Sequence, residues 1–342
     1  MRRSTIALVL IAVVAVAAVV ILRLNDDAPG VAQATTSIPT ITSVESTSGG
    51  GTATPPPDGA TTTTTAAPGL IVPPGSTVCD LYGDWGVNGV ITNTELVEAS
   101  GLAVSRTTED VLWSHNDSRD GARLYAFRRD GTDLGVFEVP GGFAFDWEDM
   151  SAGPDAQGEG NYLYVGDIGD NFDIRKGVIA IHRVEDLDPA TMTDRFPHSE
   201  PIAFEYPDGG HNAEALFIDP IDPAVYVVTK ARDEALVFRG SLVVDGERST
   251  LELVTTLPLG AEVSGADMSA DGSVIAFRGY RTVWMWTRAP GESVAEALTS
   301  EPCEGPSPEE RQGESISFDA SYSYWTLSEG TAKEIHTVSF DG

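Results

Sequence analysis

The sequence is short of basic residues. It contains 21 Lys and Arg against 52 Asp and Glu, which gives a formal net charge of −31. A charge of this size and sign argues against nucleic acid and anionic lipid as partners, because both would be repelled. The charge suits a soluble exported protein, and it also suits binding of hard cations. Solubility in a salty or acidic habitat is the alternative explanation of the charge.

Common catalytic and metal-binding signatures are also missing. The sequence has no G-x-S-x-G, H-E-x-x-H or Walker motif, so the enzyme classes that use them have no support. Its five histidines do not have the spacing of a metal-binding pair, which argues against a zinc site. Helical periodicity is nearly absent from the folded part, where 292–298 is the one weak helix prediction.

Only two cysteines are present, Cys79 and Cys303. Disulfides persist in oxidising compartments, and Cys79 opens the folded part whereas Cys303 precedes its last repeat. We therefore expect a disulfide that fixes the closure of the fold and contributes up to ~5 kcal/mol in the chain-entropy treatment. Two unpaired buried thiols are the alternative.

One long apolar run lies near the N-terminus, at 6–22, after Arg2 and Arg3. It predicts a signal-anchor transmembrane segment over 1–27 that leaves the rest of the chain extracytoplasmic. A cleaved signal peptide, and hence a secreted protein, is the alternative, because 32–34 reads Ala-Gln-Ala. Residues 28–76 are rich in Thr, Pro, Ser, Gly and Ala and predict a disordered linker, followed by one folded domain over 77–342.

Five similar segments recur in that domain. They begin at Ser100, Glu148, Glu214, Ser264 and Glu314, which are 48, 66, 50 and 50 positions apart. Each is followed by a turn signal and a second, strongly apolar β run. This period, with short strands and Gly or Asp turns, is typical of a β-propeller.

The fold class predicted is therefore all-β, a five-bladed β-propeller. The fifth repeat has three strands, and the orphan run 89–97 would supply its missing outer strand and remove exposed sheet edges. Six blades remain the alternative if the long second repeat hides a degenerate blade.

If each lead residue starts an inner strand, five oxygen-bearing side chains meet at the central channel. Three carboxylates, two hydroxyl oxygens and water would suit calcium. Without a cation the glutamates would repel one another, and at least one would stay protonated. Solvated channel acids are the alternative; neutralisation by Lys or Arg is another, although no basic residue starts an inner strand. The ligands predicted are Ser100, Glu148, Glu214, Ser264 and Glu314.

A second set of polar residues follows the second strands or precedes the inner strands, where loops open around the channel mouth. Their mixture of cations and carboxylates fits a phosphate or carboxylate ligand, with an acid or a histidine positioning water. Local turn-stabilising hydrogen bonds are the alternative. The ligand-binding candidates are His115, Asn116, Asp167, Lys230, Arg232, Arg278 and Arg281, and the catalytic candidates are Asp117, Asp146 and His211.

The order Ser, Glu, Glu, Ser, Glu at five successive inner strands resembles the calcium-activated nucleotidases, or soluble apyrases. The loop at 116–121 is similar in kind to that family's Asp-Asp-Arg-Thr-Gly loop. The resemblance implies a five-bladed propeller with a central calcium held by Ser100, Glu148, Glu214, Ser264 and Glu314. The family's run of basic nucleotide-binding residues is not recognisable, so the metal carries over better than the activity.

Three functions follow from these observations. The first is a monomeric, membrane-tethered binding module with axial calcium and a small anionic ligand or protein partner at the channel mouth. The second is a calcium-dependent hydrolase of nucleotides or other phosphorylated or anionic small molecules. The third is a structural envelope protein without a small ligand. Because fold alone does not decide between them, the missing nucleotide-contact pattern favours the first, and whether the protein is an enzyme stays open.

Overall fold

Five antiparallel sheets form the body of the protein. The structure, a computed structural model, describes residues 70–117, 120–330 and 333–342. The predicted anchor over 1–27 and most of the linker predicted over 28–76 lie outside the described residues. Within the described part, no helix has the length and apolar character needed to span a bilayer.

The first two sheets follow each other along the chain, and each starts with an inner strand and proceeds outwards. Blade 1 contains β2 (Ala99–Val104), β3 (Val111–Asn116), β4 (Arg123–Arg128) and β5 (Asp133–Glu138). Blade 2 contains β6 (Trp147–Gly153), β7 (Tyr162–Asp167), β8 (Val178–Glu185) and β9 (Glu200–Glu205). A short strand from the next repeat, β13 (Arg248–Thr250), pairs in parallel with β9. The length of the second repeat therefore comes from loops and not from a sixth blade.

The next two sheets repeat this order. Blade 3 contains β10 (Ala213–Asp219), β11 (Ala224–Thr229), β12 (Ala235–Ser241) and β14 (Glu252–Leu257). Blade 4 contains β15 (Gly265–Met268), β16 (Val274–Arg278), β17 (Val283–Thr287) and β18 (Cys303–Gly305). The predicted helical stretch forms the one-turn helix α1 (Val294–Ala297), which begins after Ser293 because that hydroxyl accepts a hydrogen bond from the Glu296 amide at 3.2 Å.

The fifth blade joins the two ends of the described domain. It contains β19 (Gly313–Phe318), β20 (Tyr324–Ser328) and β21 (Glu334–Phe340), and β1 (Tyr82–Val90) is its outer strand. The predicted closure is confirmed, but the bounds differ from the predicted run of 89–97. The strand ends at Val90 because Ile91 and Leu96 turn inwards and are buried between blades 5 and 1.

The five inner strands form a closed ring, in which neighbouring contacts run from β2 through β6, β10, β15 and β19 back to β2. Every residue of these strands is buried, because each is covered by strands of its own blade and of the adjacent blades. Five apolar clusters fill the spaces between successive blades. Burial of each large side chain in them contributes roughly 1.5–3 kcal/mol, and the sheets therefore hold the inner-strand starts in fixed positions.

The predicted disulfide between Cys79 and Cys303 is present, with an S–S distance of 2.06 Å. Cys79 lies in a short 3-10 helix (Val78–Leu81) immediately before β1, and Cys303 begins β18. The bond thus joins the segment that leads into blade 5 to the outer strand of blade 4, which restrains the closure of the ring.

Candidate functional site

The lead residues of the five repeats occupy equivalent places. Four of them are the second residues of β2, β6, β10 and β19, and the fifth directly precedes β15. All five side chains are buried, with 1–5% of their surface exposed. Each blade contributes one oxygen-bearing group of this set: Ser100, Glu148, Glu214, Ser264 and Glu314.

The three glutamates lie within electrostatic reach of one another. Burial raises the pKa of Glu148 well above its ordinary value, and Glu214, Asp117 and Asp146 raise it further. Burial also raises the pKa of Glu314 to about 8, with Glu214 adding to the shift against a hydrogen bond from Gln312. Burial is the main cause of both shifts, and neighbouring like charges add to it, so these carboxylates need a positive neighbour in order to remain charged together.

Lys230 supplies one such charge. It directly follows β11, and its ammonium group lies 2.5 Å from Glu214 Oε2 and 5.4 Å from the centroid of the Tyr280 ring. Burial would lower the pKa of Lys230, but Glu214 outweighs burial and raises it. A basic side chain therefore reaches the glutamates from the end of a second strand, although none starts an inner strand.

The serine hydroxyls differ from the glutamates in their partners. Ser264 Oγ donates a hydrogen bond to the Gly313 carbonyl at 2.7 Å, which links blade 4 to blade 5. The hydroxyl proton is thus directed at backbone, while the oxygen lone pairs are left for another donor or a cation.

The tightest acidic group in the described residues lies to one side of the ring. One carboxylate oxygen each from Asp117, Asp146 and Glu148 lies within 4.8 Å of the other two. We call these three residues the acidic cluster. Asp117 follows the second strand of blade 1, whereas Asp146 and Glu148 flank Trp147 at the start of blade 2. A register irregularity between Trp147 and Asp149, with Trp147 buried, accompanies this arrangement.

Glu148 has an unusual environment for a carboxylate. Its side chain is almost completely buried, and no protein donor within the described part of the chain hydrogen-bonds to Oε1. That atom and Asp146 Oδ2 lie against Gly169, where an added Cβ would come within 2.1 Å of Glu148 Oε1 and 2.6 Å of Asp146 Oδ2. A glycine at 169 is therefore required for both oxygens to occupy this place.

The end of β7 and the loop after it fix the backbone next to the acidic cluster. The Asp167 carboxylate accepts a hydrogen bond from the Asp146 amide at 2.9 Å and pairs with Arg175. Arg175 also donates to the carbonyl oxygens of Gly169 and Asp167. Burial raises the pKa of Asp146, with Arg175 lowering it and Asp167 raising it. Asp167, predicted as a ligand-binding residue, thus positions Asp146 and the Gly169 loop.

Two other predicted ligand-binding residues are placed in blade 1. Asn116 is buried and fixes the preceding loop, because its side-chain oxygen accepts hydrogen bonds from the amides of Val97 and Glu98. His115 is completely buried, and burial lowers its pKa to about 4 despite hydrogen bonds to backbone. Both side chains hold the backbone that leads into Asp117.

The remaining predicted ligand-binding and catalytic residues do not share one environment. Arg278 was expected at the open channel mouth, but its side chain is completely buried and forms an ion pair with Glu310. Arg232 is largely exposed, with Glu262 at 4.0 Å, and Arg281 lies on the surface beside the segment 307–311. His211 bonds Asp208 at 2.8 Å and packs against Tyr206. Lys230 alone among these cations contacts the lead glutamates.

Sequence reasoning missed Gly169 and Arg175. Gly169 lies in a run, 166–171, in which every residue except Ile168 is a common turn former, so nothing in the pattern separates it from an ordinary turn. Arg175 is eight residues from Asp167, and their pairing depends on how the loop folds back. Both residues are identified only by their neighbours in the folded structure, which the sequence does not show.

Comparison with known proteins does not assign the chain to a family. No model of a known protein family matches the chain, and no curated protein sequence matches it. The solved structures that are similar include the PQQ-bound aldose sugar dehydrogenase of Streptomyces coelicolor, at 14% identity and a TM-score of 0.41, covering 75% of this chain and 97% of that one.

Two further solved structures are similar to this chain to the same degree. The soluble aldose sugar dehydrogenase of Escherichia coli in its apo form has 11% identity and a TM-score of 0.44, covering 75% of this chain and 99% of that one. A nidogen/laminin complex has 11% identity and a TM-score of 0.42, covering 68% and 73%. At these identities and TM-scores the likenesses carry no argument about function or cofactor.

Proposed function

We propose that this chain is an extracytoplasmic, membrane-tethered propeller that binds a calcium ion at the acidic cluster and, through that ion, a further ligand at the channel mouth. The observation that carries the proposal is Glu148 Oε1, a buried carboxylate oxygen with no protein donor among the described residues, which faces Asp117 and Asp146. Leaving such an oxygen unsatisfied costs free energy. A bound cation would remove that cost and the mutual repulsion of the three acids.

The donor set favours calcium over zinc or copper. The cluster offers only carboxylate oxygens, and hard oxygen donors in irregular geometry are what calcium accepts. Asp117 and Asp146 are only partly buried, whereas Glu148 is buried. An ion here would have protein oxygens on its inner side and water or a ligand on the side that faces solvent.

This position differs from the centre of the ring. Glu148 belongs to both groups, but Glu214 is paired with Lys230, and Ser264 donates to backbone. The axial ligand set with Ser100, Glu214, Ser264 and Glu314 stays a prediction, and the acidic cluster is the better supported site.

One disulfide bond supports the extracytoplasmic location. The Cys79–Cys303 disulfide is typical of proteins that fold in an oxidising compartment. The anchor and linker predicted over 1–27 and 28–76 would place the propeller there, close to a membrane. The large negative charge is compatible with this location, where calcium is available at higher concentration than in a cytosol.

A calcium titration tests the proposal. The full-length chain in detergent is stripped with chelator, and heat is measured as calcium is added. We expect one calcium per chain and a melting temperature that falls in chelator. Glu148→Gln should weaken calcium binding at least about tenfold, whereas the exposed Glu252→Gln on β14 should leave it unchanged. Equal affinity in both variants, or no calcium binding by the unaltered chain, contradicts the proposal.

A calcium-dependent phosphohydrolase is the second candidate function. The observation that favours it is Lys230, a charged ammonium among carboxylates beside the acidic cluster, since Lys230 acts electrostatically on Glu148 as well as Glu214. A cation and an ammonium together are a common means of binding a phosphoryl group. The calcium-loaded protein is therefore also assayed for phosphate release from nucleotides and sugar phosphates. Release no faster than in buffer leaves the binding module as the function.

A further inference from the structure

Four large apolar side chains are exposed in two loops of blade 2. They are Phe143, Phe145, Phe172 and Ile174, with 68%, 41%, 83% and 55% of their surface exposed. Phe143 and Phe145 stack on each other, with ring centroids 6.4 Å apart and planes inclined by 26°. We call these four residues the apolar rim. Grouped exposed apolar side chains on a soluble protein mark a contact surface more often than single ones do.

The apolar rim adjoins the acidic cluster through a short series of contacts. Gly169 lies so close to Asp146 and Glu148 that an added Cβ would clash with both side chains, and its carbonyl oxygen accepts a hydrogen bond from Arg175 Nε at 2.5 Å. The Arg175 guanidinium carbon lies 4.7 Å from the centroid of the Phe145 ring. Phe145 also directly precedes Asp146 in the chain. The aromatic pair and the carboxylates are therefore held by the same guanidinium group.

The loop that carries Phe172 and Ile174 is fixed by hydrogen bonds and contains two strained backbone positions. The Asp170 carboxylate accepts hydrogen bonds from the amides of Ile174 at 2.7 Å and Arg175 at 3.1 Å. Asp173 and Lys176 have φ angles of 52° and 54°, in the left-handed region, which costs roughly 1–2 kcal/mol per residue without glycine. Strain of this kind concentrates where a surface is preorganised for contact, and here it accompanies two apolar side chains that point to solvent.

We propose that the channel mouth binds a small amphiphilic anion, in which a phosphate or carboxylate group is joined to an aromatic or alkyl group. The anionic group would complete the coordination of the calcium at Asp117, Asp146 and Glu148. The apolar group would pack on Phe143 and Phe145. This inference rests on the calcium site proposed above, because a protein with a formal charge of −31 repels free anions unless a cation is present.

A membrane surface is the competing occupant of the apolar rim. Calcium together with exposed phenylalanines could in principle attach a protein to phosphate headgroups. The formal charge of −31 opposes approach to an anionic bilayer as a whole, whereas a single small anion has only to reach one ion. The charge therefore favours the small ligand.

The test compares phenyl phosphate with inorganic phosphate on the calcium-loaded full-length chain, by calorimetry. Phenyl phosphate should bind about tenfold more tightly, which corresponds to the ~1.4 kcal/mol expected of one aromatic contact. Phe143→Ala should bring the two affinities to within about twofold and leave calcium binding unchanged, because Phe143 is exposed. Val243→Ala, which truncates a half-exposed side chain in blade 3, serves as the matched control and should keep the tenfold preference.

The outcomes separate this inference from the function that it extends. If calcium binds but phenyl phosphate and phosphate bind equally, or if neither anion binds, the amphiphilic ligand is wrong and the calcium site stands. If Phe143→Ala keeps the preference, the apolar rim is not the contact surface. If calcium does not bind, the proposed function itself fails. Calcium-dependent sedimentation with anionic vesicles, unaffected by phenyl phosphate, would identify a membrane-contact surface instead.

Discussion

The substitution Gly169→Ala gives the sharpest test of the acidic cluster. A methyl group at this position would come within 2.1 Å of Glu148 Oε1 and 2.6 Å of Asp146 Oδ2. Contacts of a Cβ shorter than 3.0 Å are essentially never seen, so Oε1 has to retreat by about 0.9 Å. Calcium–oxygen distances span only about 2.3–2.6 Å, so a shift of this size removes a ligand or moves the ion.

We expect Gly169→Ala to weaken calcium binding at least about tenfold, which corresponds to ~1.4 kcal/mol. Gly169 does not have the positive φ of the glycines at which alanine would strain the backbone, so folding should be preserved. Gly121→Ala is the matched control, since Gly121 also lies in a loop beside the site and an added Cβ there has no neighbour within 4 Å among the residues that the structure describes. Calorimetric titrations with calcium measure both affinities, and melting curves in chelator compare the folds.

The reasoning is refuted if Gly169→Ala binds calcium as tightly as Gly121→Ala while both variants melt normally. Such a result would mean that the two oxygens next to Gly169 do not hold the ion. The axial set that was predicted from sequence, with Glu214 and Glu314, would then be the place to look.

Two predictions concern stability. Glu310 pairs with buried Arg278 and also hydrogen-bonds Thr326 and His336. Glu310→Gln leaves the Arg278 charge without its carboxylate partner, so chemical denaturation should show a loss of roughly 3–5 kcal/mol in the free energy of unfolding, and a loss below about 1 kcal/mol contradicts this. Burial lowers the pKa of His182, whereas Asp167 raises it by a smaller amount. The unfolded chain therefore takes up a proton on this histidine more readily than the folded chain does. The free energy of unfolding should fall as the pH drops below about 6.5 toward the folded pKa. Denaturation at pH 7.5 and 5.5 should show a smaller fall in His182→Met than in the unaltered chain, and equal falls would rule out the effect.

The architecture could be predicted because it repeats. Five segments that begin at Ser100, Glu148, Glu214, Ser264 and Glu314 gave the number of blades and the place of each inner strand, since a propeller blade must fit its neighbours on both sides. The closing strand was harder. The apolar residues after Val90 look like a continuation of the strand, but Ile91 fills the space between blades 5 and 1. Alternation with a period of two does not distinguish an apolar residue that continues a strand from one that packs between two blades.

The site could be predicted only in its parts. Asp117 and Asp146 were identified as loop carboxylates near the channel and Glu148 as an inner-strand acid, but their closeness to one another was not predicted. It depends on loops from two blades coming together beside Glu148, which sequence spacing does not encode. Arg278 shows the opposite error. It is the last residue of the second strand of blade 4, where an open channel mouth was expected, yet it pairs with Glu310 from the following connection in the interior.

Lys230 gives a reason to place the proposed cation away from the axis. Lys230 occupies the side of the ring next to Glu214, and two unit charges 4 Å apart interact by roughly 4 kcal/mol at an effective dielectric constant near 20. A divalent ion sharing Glu214 would meet twice that repulsion from the ammonium group, or would have to displace it. Among the described residues, Oε1 of Glu148 has no such partner, and Glu148 lies near two further carboxylates. The five positions thus differ in charge, and the asymmetry favours a place for the proposed divalent ion on the side of blades 1 and 2, next to the apolar rim.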